Sequence, residues 1–408
     1  MNSSQVFAYQ PIVDTTQTPV AVELIYRNGV TADDIPRTVA NVVLDAFIHA
    51  GPGELPRRRL TYFSAPASLL ESGLLDQLPS EQFALQLQPA DLIALQARFH
   101  QLKQAGYCMV LNGTGDDADH LRQLLPFLNV IRLDAKAALN NAIPLLAELR
   151  TSGLQLLAGN VDSREMADDL KALGFSLFQG YYFASPANHA VTRADPRKLA
   201  VLELLSKLTS DADDPIIEDA FKANPSLALH LLQIVNSSAF ALKTRIRSIK
   251  HAFAILGRKQ LENWLHVLLF SIDGDGVPSP LMELALRRAR FMEFVLIYRT
   301  HKSSTVLQDE AYLTGLLSLV NIQLGWSMAE TVARLNLTDE IRQALLHREG
   351  TLGQLIDLCE TLEIANFEAA LPIAEALHLP LEAVMTAQNV ALSYSVRIGQ
   401  KTAEESSD

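Results

Sequence analysis

The periodicity of this 408-residue sequence changes once, and that change restricts what the chain can fold into. Up to about residue 190, short apolar or β-branched runs recur at roughly 6–13, 21–27, 59–64, 83–88, 107–112, 129–133, 154–158 and 177–183. Helical stretches such as Ile35–Ala50, Pro89–Gly106 and Arg164–Gly174 lie between most of them. Gly106 and Gly174 fall where helix C-termini should be. Eight strand-like runs with intervening helices predict a closed (β/α) barrel, with a doubly wound sheet open on the pattern alone. From about residue 195 the strand signal vanishes. Helix follows helix, punctuated by Pro196, Pro215, Pro225, Pro278, Pro280 and Pro380, and Leu227, Leu231 and Ile234 repeat at the spacing of one buried helical face. The expected organisation is α/β plus all-α. It comprises a barrel domain over 1–190, a helical domain over 195–400 and a disordered polar tail over 401–408, with the boundary near 187–197.

Composition narrows the function classes. Hydrophobic residues make up 49% and charged residues 20%, enough for real cores and far from a disordered chain. The net charge of -12 gives neither half the basic excess of a protein that grips nucleic acid through phosphates. The local basic clusters, Arg57-Arg58-Arg59 and Lys243, Arg245, Arg247 and Lys250, read as solvated surface before they read as anion sites. Cys108 and Cys359 are too few and too far apart for a disulfide framework or a cysteine zinc site, which fits a reducing compartment. MNSSQVFAYQPIV lacks a basic n-region and a long apolar h-region, and the apolar stretch around Trp264–Phe270 is too short to span a bilayer. Cytoplasmic is the expected location.

Particular motifs add a resemblance. Tyr9-Gln10-Pro11-Ile12-Val13, Glu23-Leu24-Ile25-Tyr26-Arg27 and Gln179-Gly180-Tyr181-Tyr182-Phe183 with Pro186 are similar to the opening and closing signatures of EAL domains. That family forms a modified TIM barrel and, when active, hydrolyses cyclic di-GMP; Glu-Leu-Ile in place of Glu-Ala-Leu resembles the subgroup fused to HDOD domains. Metal-assisted phosphodiester hydrolysis needs hard oxygen ligands and a group that deprotonates the attacking water. The resemblance places Glu23 at the first ligand position. Tyr62 then stands for an asparagine, Gln86 for a glutamate, Asn112 and Gly113 for the paired aspartates, Arg132 for the lysine and Gly159 for a glutamate, while Asp134 and Asp162 survive. Glu23, Arg27, Asp134 and Gln179 remain as vestigial ligand-contact candidates. Their structural alternatives are a Glu23–Arg27 pair on one strand face, a helix cap at Asp134, and rim packing at Gln179 and Tyr181.

The helical half resembles HDOD domains through Asn224-Pro225-Ser226-Leu227, Leu231-Leu232, Asn236-Ser237 and the later Ile246-Arg247-Ser248-Ile249 with Ala252 and Leu256-Gly257. Asn236 reads as a helix C-cap as readily as a functional residue. The related HD phosphohydrolases hold metal through His and an adjacent His-Asp pair. None of the ten histidines here precedes an aspartate, and Ser318 and Leu319 stand where the pair would be. His230, His251, His266 and His301 have no ligand-like spacing.

The resemblance therefore implies an EAL barrel followed by an HDOD domain, both without catalytic residues, metal or cofactor. It implies a bacterial signal-transduction adaptor that acts on unidentified signalling proteins, with a homodimer possible. No nucleic acid or membrane partner is expected. The lost contacts argue against cyclic di-GMP binding yet leave it open, as a receptor without turnover or as a residual phosphodiesterase.

Overall fold

The computed structural model describes residues 7–26, 59–89, 95–113, 118–140, 146–184, 196–209, 212–235, 246, 248–271, 279–300, 305–335 and 337–405. Eight strands, β1 (Phe7–Asp14), β2 (Pro19–Tyr26), β3 (Leu60–Ser64), β4 (Phe83–Leu87), β5 (Cys108–Asn112), β6 (Val130–Asp134), β7 (Gln155–Gly159) and β8 (Leu177–Gln179), close into a barrel in sequence order. The closure settles the alternative between barrel and doubly wound sheet. Strand β1 runs antiparallel to both β2 and β8, and every other pair is parallel. The run expected over 177–183 ends as a strand at Gln179 and turns at Tyr182–Ala184 into a single 3-10 turn.

Helices α1 (Ala67–Glu71), α2 (Gln96–Gln104), α3 (Ala118–Leu124), α4 (Ala135–Leu139), α5 (Leu146–Leu149) and α6 (Arg164–Ala172) accompany the parallel strands. Gly106 and Gly174 take φ of 99° and 94° just past α2 and α6, a left-handed exit that a side chain would strain.

The hairpin between β1 and β2 differs from the other connections. Asp14 Oδ1 accepts from the amides of Thr16 (2.8 Å) and Thr18 (3.0 Å), an Asx-type turn that reverses the chain at once. No crossover helix lies between β1 and β2, so the outer face of β1 needs another cover. The helical half supplies it.

That half comprises α7 (Pro196–Thr209), α8 (Asp214–Lys222), α9 (Pro225–Val235), α10 (Ile249–Ser271), α11 (Pro280–Thr300), α12 (Thr305–Leu317), α13 (Val320–Leu324), α14 (Met328–Arg334), α15 (Asp339–His347), α16 (Gly350–Glu363), α17 (Phe367–Ala376) and α18 (Leu381–Glu405). Leu227 and Leu231 are buried, as the spacing predicts. Gly257 breaks α10 with φ 71°. Helices α16 and α18 pack on β1. The apolar shell outside the barrel and the core of the helices form one continuous cluster, separate from the small cluster inside the barrel.

The last helix corrects one expectation. It continues to Glu405, so most of the polar tail placed at 401–408 extends a helix nucleated by the apolar residues before it. The boundary segment 187–195, Arg27, the Asn236-Ser237 pair, most of both basic clusters and His301 lie outside the described residues.

Candidate functional site

Inside the barrel, Ile12, Ala21, Tyr62, Ala84, Val110, Val130, Leu157 and Leu177 form the apolar filling. Side chains alternate along a strand, so a step of two residues stays on the inner face. One such step toward the catalytic end of a parallel barrel reaches Glu23, Ser64, Gln86, Asn112, Arg132, Gly159 and Gln179. Because β1 runs the other way, the same step goes backward from Ile12 to Gln10. The strands therefore end in a polar ring above an apolar plug. Tyr62 belongs to the plug, and burial raises its hydroxyl pKa above the ordinary value, with Cys108 and Glu23 adding to the effect.

Glu23 is the one carboxylate of that ring, and it is not free. Arg132 Nη1 donates to Oε1 at 3.3 Å, and Gln179 Nε2 donates to Oε2. Gly159 makes room for that arginine: a Cβ there would meet Arg132 Nε at 3.0 Å. Arg132 and Gly159 thus fit together sterically, the missing side chain of one leaving room for the guanidinium of the other. Gln86 Nε2, Asn112 Oδ1 and Gln179 Oε1 are buried without hydrogen-bond partners. Gly113 follows β5, with its amide on the Arg132 carbonyl at 3.0 Å.

Asp134 lies at the rim. It caps α4 by accepting from Ala137 N at 2.9 Å and from Asn160 Nδ2 at 3.0 Å. The Asn160 bond first, then the Ala137 amide, hold its carboxyl below the ordinary range. Asp162 pairs with Lys136 at 2.9 Å. Tyr181 faces the helices. Its hydroxyl donates to the Tyr9 carbonyl at 3.3 Å and accepts from Arg287 Nη2 at 3.4 Å.

In the helical half, Ser318 is buried between α12 and α13, followed by buried Leu319. Ser318 Oγ donates to the Gly315 carbonyl at 2.7 Å and accepts from Arg288 Nη1 at 3.0 Å. Gly315 allows α12 to approach α11 so closely, since a Cβ would fall 2.6 Å from Ala289 N. Arg288, 5% exposed, also makes a bidentate pair with Glu363 at 2.7 and 2.6 Å and reaches Glu360 at 3.2 Å. Burial works against the guanidinium charge, but the Glu363 carboxylate and, behind it, Glu360 together hold the pKa above the ordinary value. Sequence reasoning missed Arg288, because its Arg-Arg-Ala-Arg context reads as a solvated face.

The two positions are joined. Gln10 Nε2 donates to the Glu363 carbonyl at 3.0 Å, and Gln10 Oε1 accepts from Gln179 Nε2 at 3.0 Å. A chain of polar contacts therefore runs from Ser318 through Arg288, Glu363, Gln10 and Gln179 to Glu23. Gln10 stands in a quoted motif, but no local signal marks it as this bridge.

Comparison with known proteins agrees with the architecture. Residues 198–324 match the HDOD domain model. A closed eight-stranded barrel precedes that region in the same chain. It is 26% identical over 385 residues to YuxH of Bacillus subtilis, an uncharacterized protein, covering 91% of this chain and 93% of that one. It is also 26% identical over 377 residues to CdgJ of Vibrio cholerae, named a cyclic di-GMP phosphodiesterase, covering 88% and 85%. The EAL domain of Mycobacterium smegmatis DcpA is 18% identical, with 43% of this chain and 90% of that one covered at a TM-score of 0.38. Among the described residues no helix is long and apolar enough to cross a membrane, and no group of three or more His, Cys, Asp or Glu is placed to hold a metal.

Proposed function

We propose that this chain is a signal-transduction adaptor without catalysis of its own, working in the cytoplasm through contacts with other proteins and, as a further expectation, as a homodimer. The observation that carries this reading is the state of Glu23. A divalent ion asks for several hard, anionic oxygens. Here the ring carries one carboxylate, already paired with Arg132 and bonded by Gln179. Asp134 and Asp162 are engaged in a helix cap and an ion pair. These donors do not fit the family's metal site. Ser318, bonded to Arg288, likewise presents no metal ligand set.

A second reading has its own support. Three buried amide atoms of the ring, on Gln86, Asn112 and Gln179, have no partner, and such atoms seek one. A receptor that binds cyclic di-GMP without turning it over would supply it. Calorimetric titration of the full chain with cyclic di-GMP, in Mg2+ and then Mn2+, separates the cases when the recovered nucleotide is chromatographed. No heat and intact nucleotide support the adaptor. Heat without cleavage, weakened by Gln179→Ala, supports the receptor. Cleavage abolished by Glu23→Ala would overturn both and make the barrel a phosphodiesterase, the activity in CdgJ's name.

A further inference from the structure

We propose a second ligand site, between the barrel and the helical half, that takes a small apolar carboxylate. A cavity lies where β1, β2 and β3 face α11 and α18, away from the polar ring. Tyr9, Leu24 and Phe63 wall it on the barrel side, and Leu284, Leu392 and Val396 on the helical side. Water centres can range over about 80 Å³ of it. That is room for roughly five to eight waters, or an organic acid of about ten heavy atoms. Cavities so lined favour apolar ligands, and a few placed polar groups then choose among them.

Two such groups are present. Asn389 is 2% exposed; its Oδ1 accepts from Tyr9 Oη at 2.9 Å, while its Nδ2 is buried with no partner. A buried amide donor without an acceptor is costly, and a ligand oxygen would relieve it. Arg287, half-buried, also lines the cavity. Its recorded bond is to the Tyr181 hydroxyl at 3.4 Å, and no described carboxylate lies within ion-pair distance of it. The neighbouring Arg59 and Glu283 neutralise each other through a bidentate pair, both nitrogen–oxygen distances 2.7 Å, and so leave the acid-binding role to Arg287. Guanidinium and amide together match a carboxylate, and the walls match a short acyl or aryl body. A ligand there touches both halves of the chain, so it would favour their association.

The probe is octanoate, titrated calorimetrically into the full-length protein, with 1-octanol as the uncharged control. Saturable octanoate binding is expected, with a rise in melting temperature, and octanol at least tenfold weaker. Arg287→Gln should weaken octanoate about tenfold or more, and Ser393→Trp, which fills the cavity from α18, should abolish binding. Both variants are to be checked by circular dichroism. As a measurement independent of any variant, octanoate carrying a terminal diazirine should crosslink to the peptide holding Leu392 and Val396. Equal binding of octanol and octanoate, no binding at millimolar octanoate, or crosslinks confined to other surfaces would each overturn the proposal.

Discussion

The side-chain amide of Gln10 donates to the main-chain carbonyl of Glu363 at 3.0 Å, joining the first strand of the barrel to the end of α16. The same side chain accepts from Gln179 inside the ring. Gln10→Ala should therefore loosen the junction rather than the barrel. We expect a loss of about 1–2 kcal/mol in urea denaturation, with faster amide exchange at the C-terminal turn of α16. A variant as stable as wild type, with unchanged exchange there, would remove Gln10 from the bridge.

Arg288 and Glu363 form a buried pair whose members depend on each other. Glu363→Gln leaves the guanidinium beside a neutral amide, at an expected cost of about 3–5 kcal/mol. The double variant Arg288→Met, Glu363→Leu should recover much of that loss, because neither charge then remains buried. A double-mutant cycle by chemical denaturation measures the coupling. Additive effects would mean that the pair contributes nothing as a pair.

Gly180 ends β8 with φ 155°, and a Cβ there would lie 2.1 Å from the Val161 carbonyl oxygen. Backbone would have to move. Gly180→Ala should destabilise by about 3 kcal/mol, whereas Gly153→Ala, at φ 80° with open space around it, should cost only about 1 kcal/mol. Thermal melts of the two variants compare them directly, and equal losses would count against the close approach at β8.

The carboxyl of Asp134 is held below its ordinary value by Asn160 and by the α4 amide it caps. A depressed carboxyl stabilises the fold fully above its unfolded pKa of about 3.9 and loses that effect as pH falls through the lower folded value. Asp134→Ala should cost about 1 kcal/mol at pH 7, as for other caps on exposed turns, and the gap from wild type should shrink as the pH falls below the unfolded value of about 3.9. A gap independent of pH would show that the charge plays no part.

The barrel was legible because eight short apolar or β-branched runs recur with helical stretches between most of them, and because the polar ring sits two residues beyond the inner apolar positions. Leu157 followed by Gly159, or Val130 by Arg132, states the ring in local sequence. The cap at Asp134, set beside ligand contact as an alternative, is what the structure places there. The junction was not legible. Tyr9 with Asn389, or Gln10 with Glu363, are pairings across the whole chain, and no periodicity records them. Arg288 was hidden for a different reason: a charged residue in a helix reads as solvated unless its carboxylate partner is already known. The helical tail was misread because its polar residues follow an apolar stretch long enough to carry the helix onward.

The bare outer face of the β1–β2 hairpin also has a consequence in time. Tyr9 is made 380 residues before its partner Asn389. At roughly 5–20 residues per second, about 20–80 s pass before the cover for that face exists. During that interval the face of β1 on which α16 and α18 later pack has no cover from those helices. Loss of the chain from α18 onward would then be felt far away in sequence, at β1, whose Tyr9 would have lost its partner.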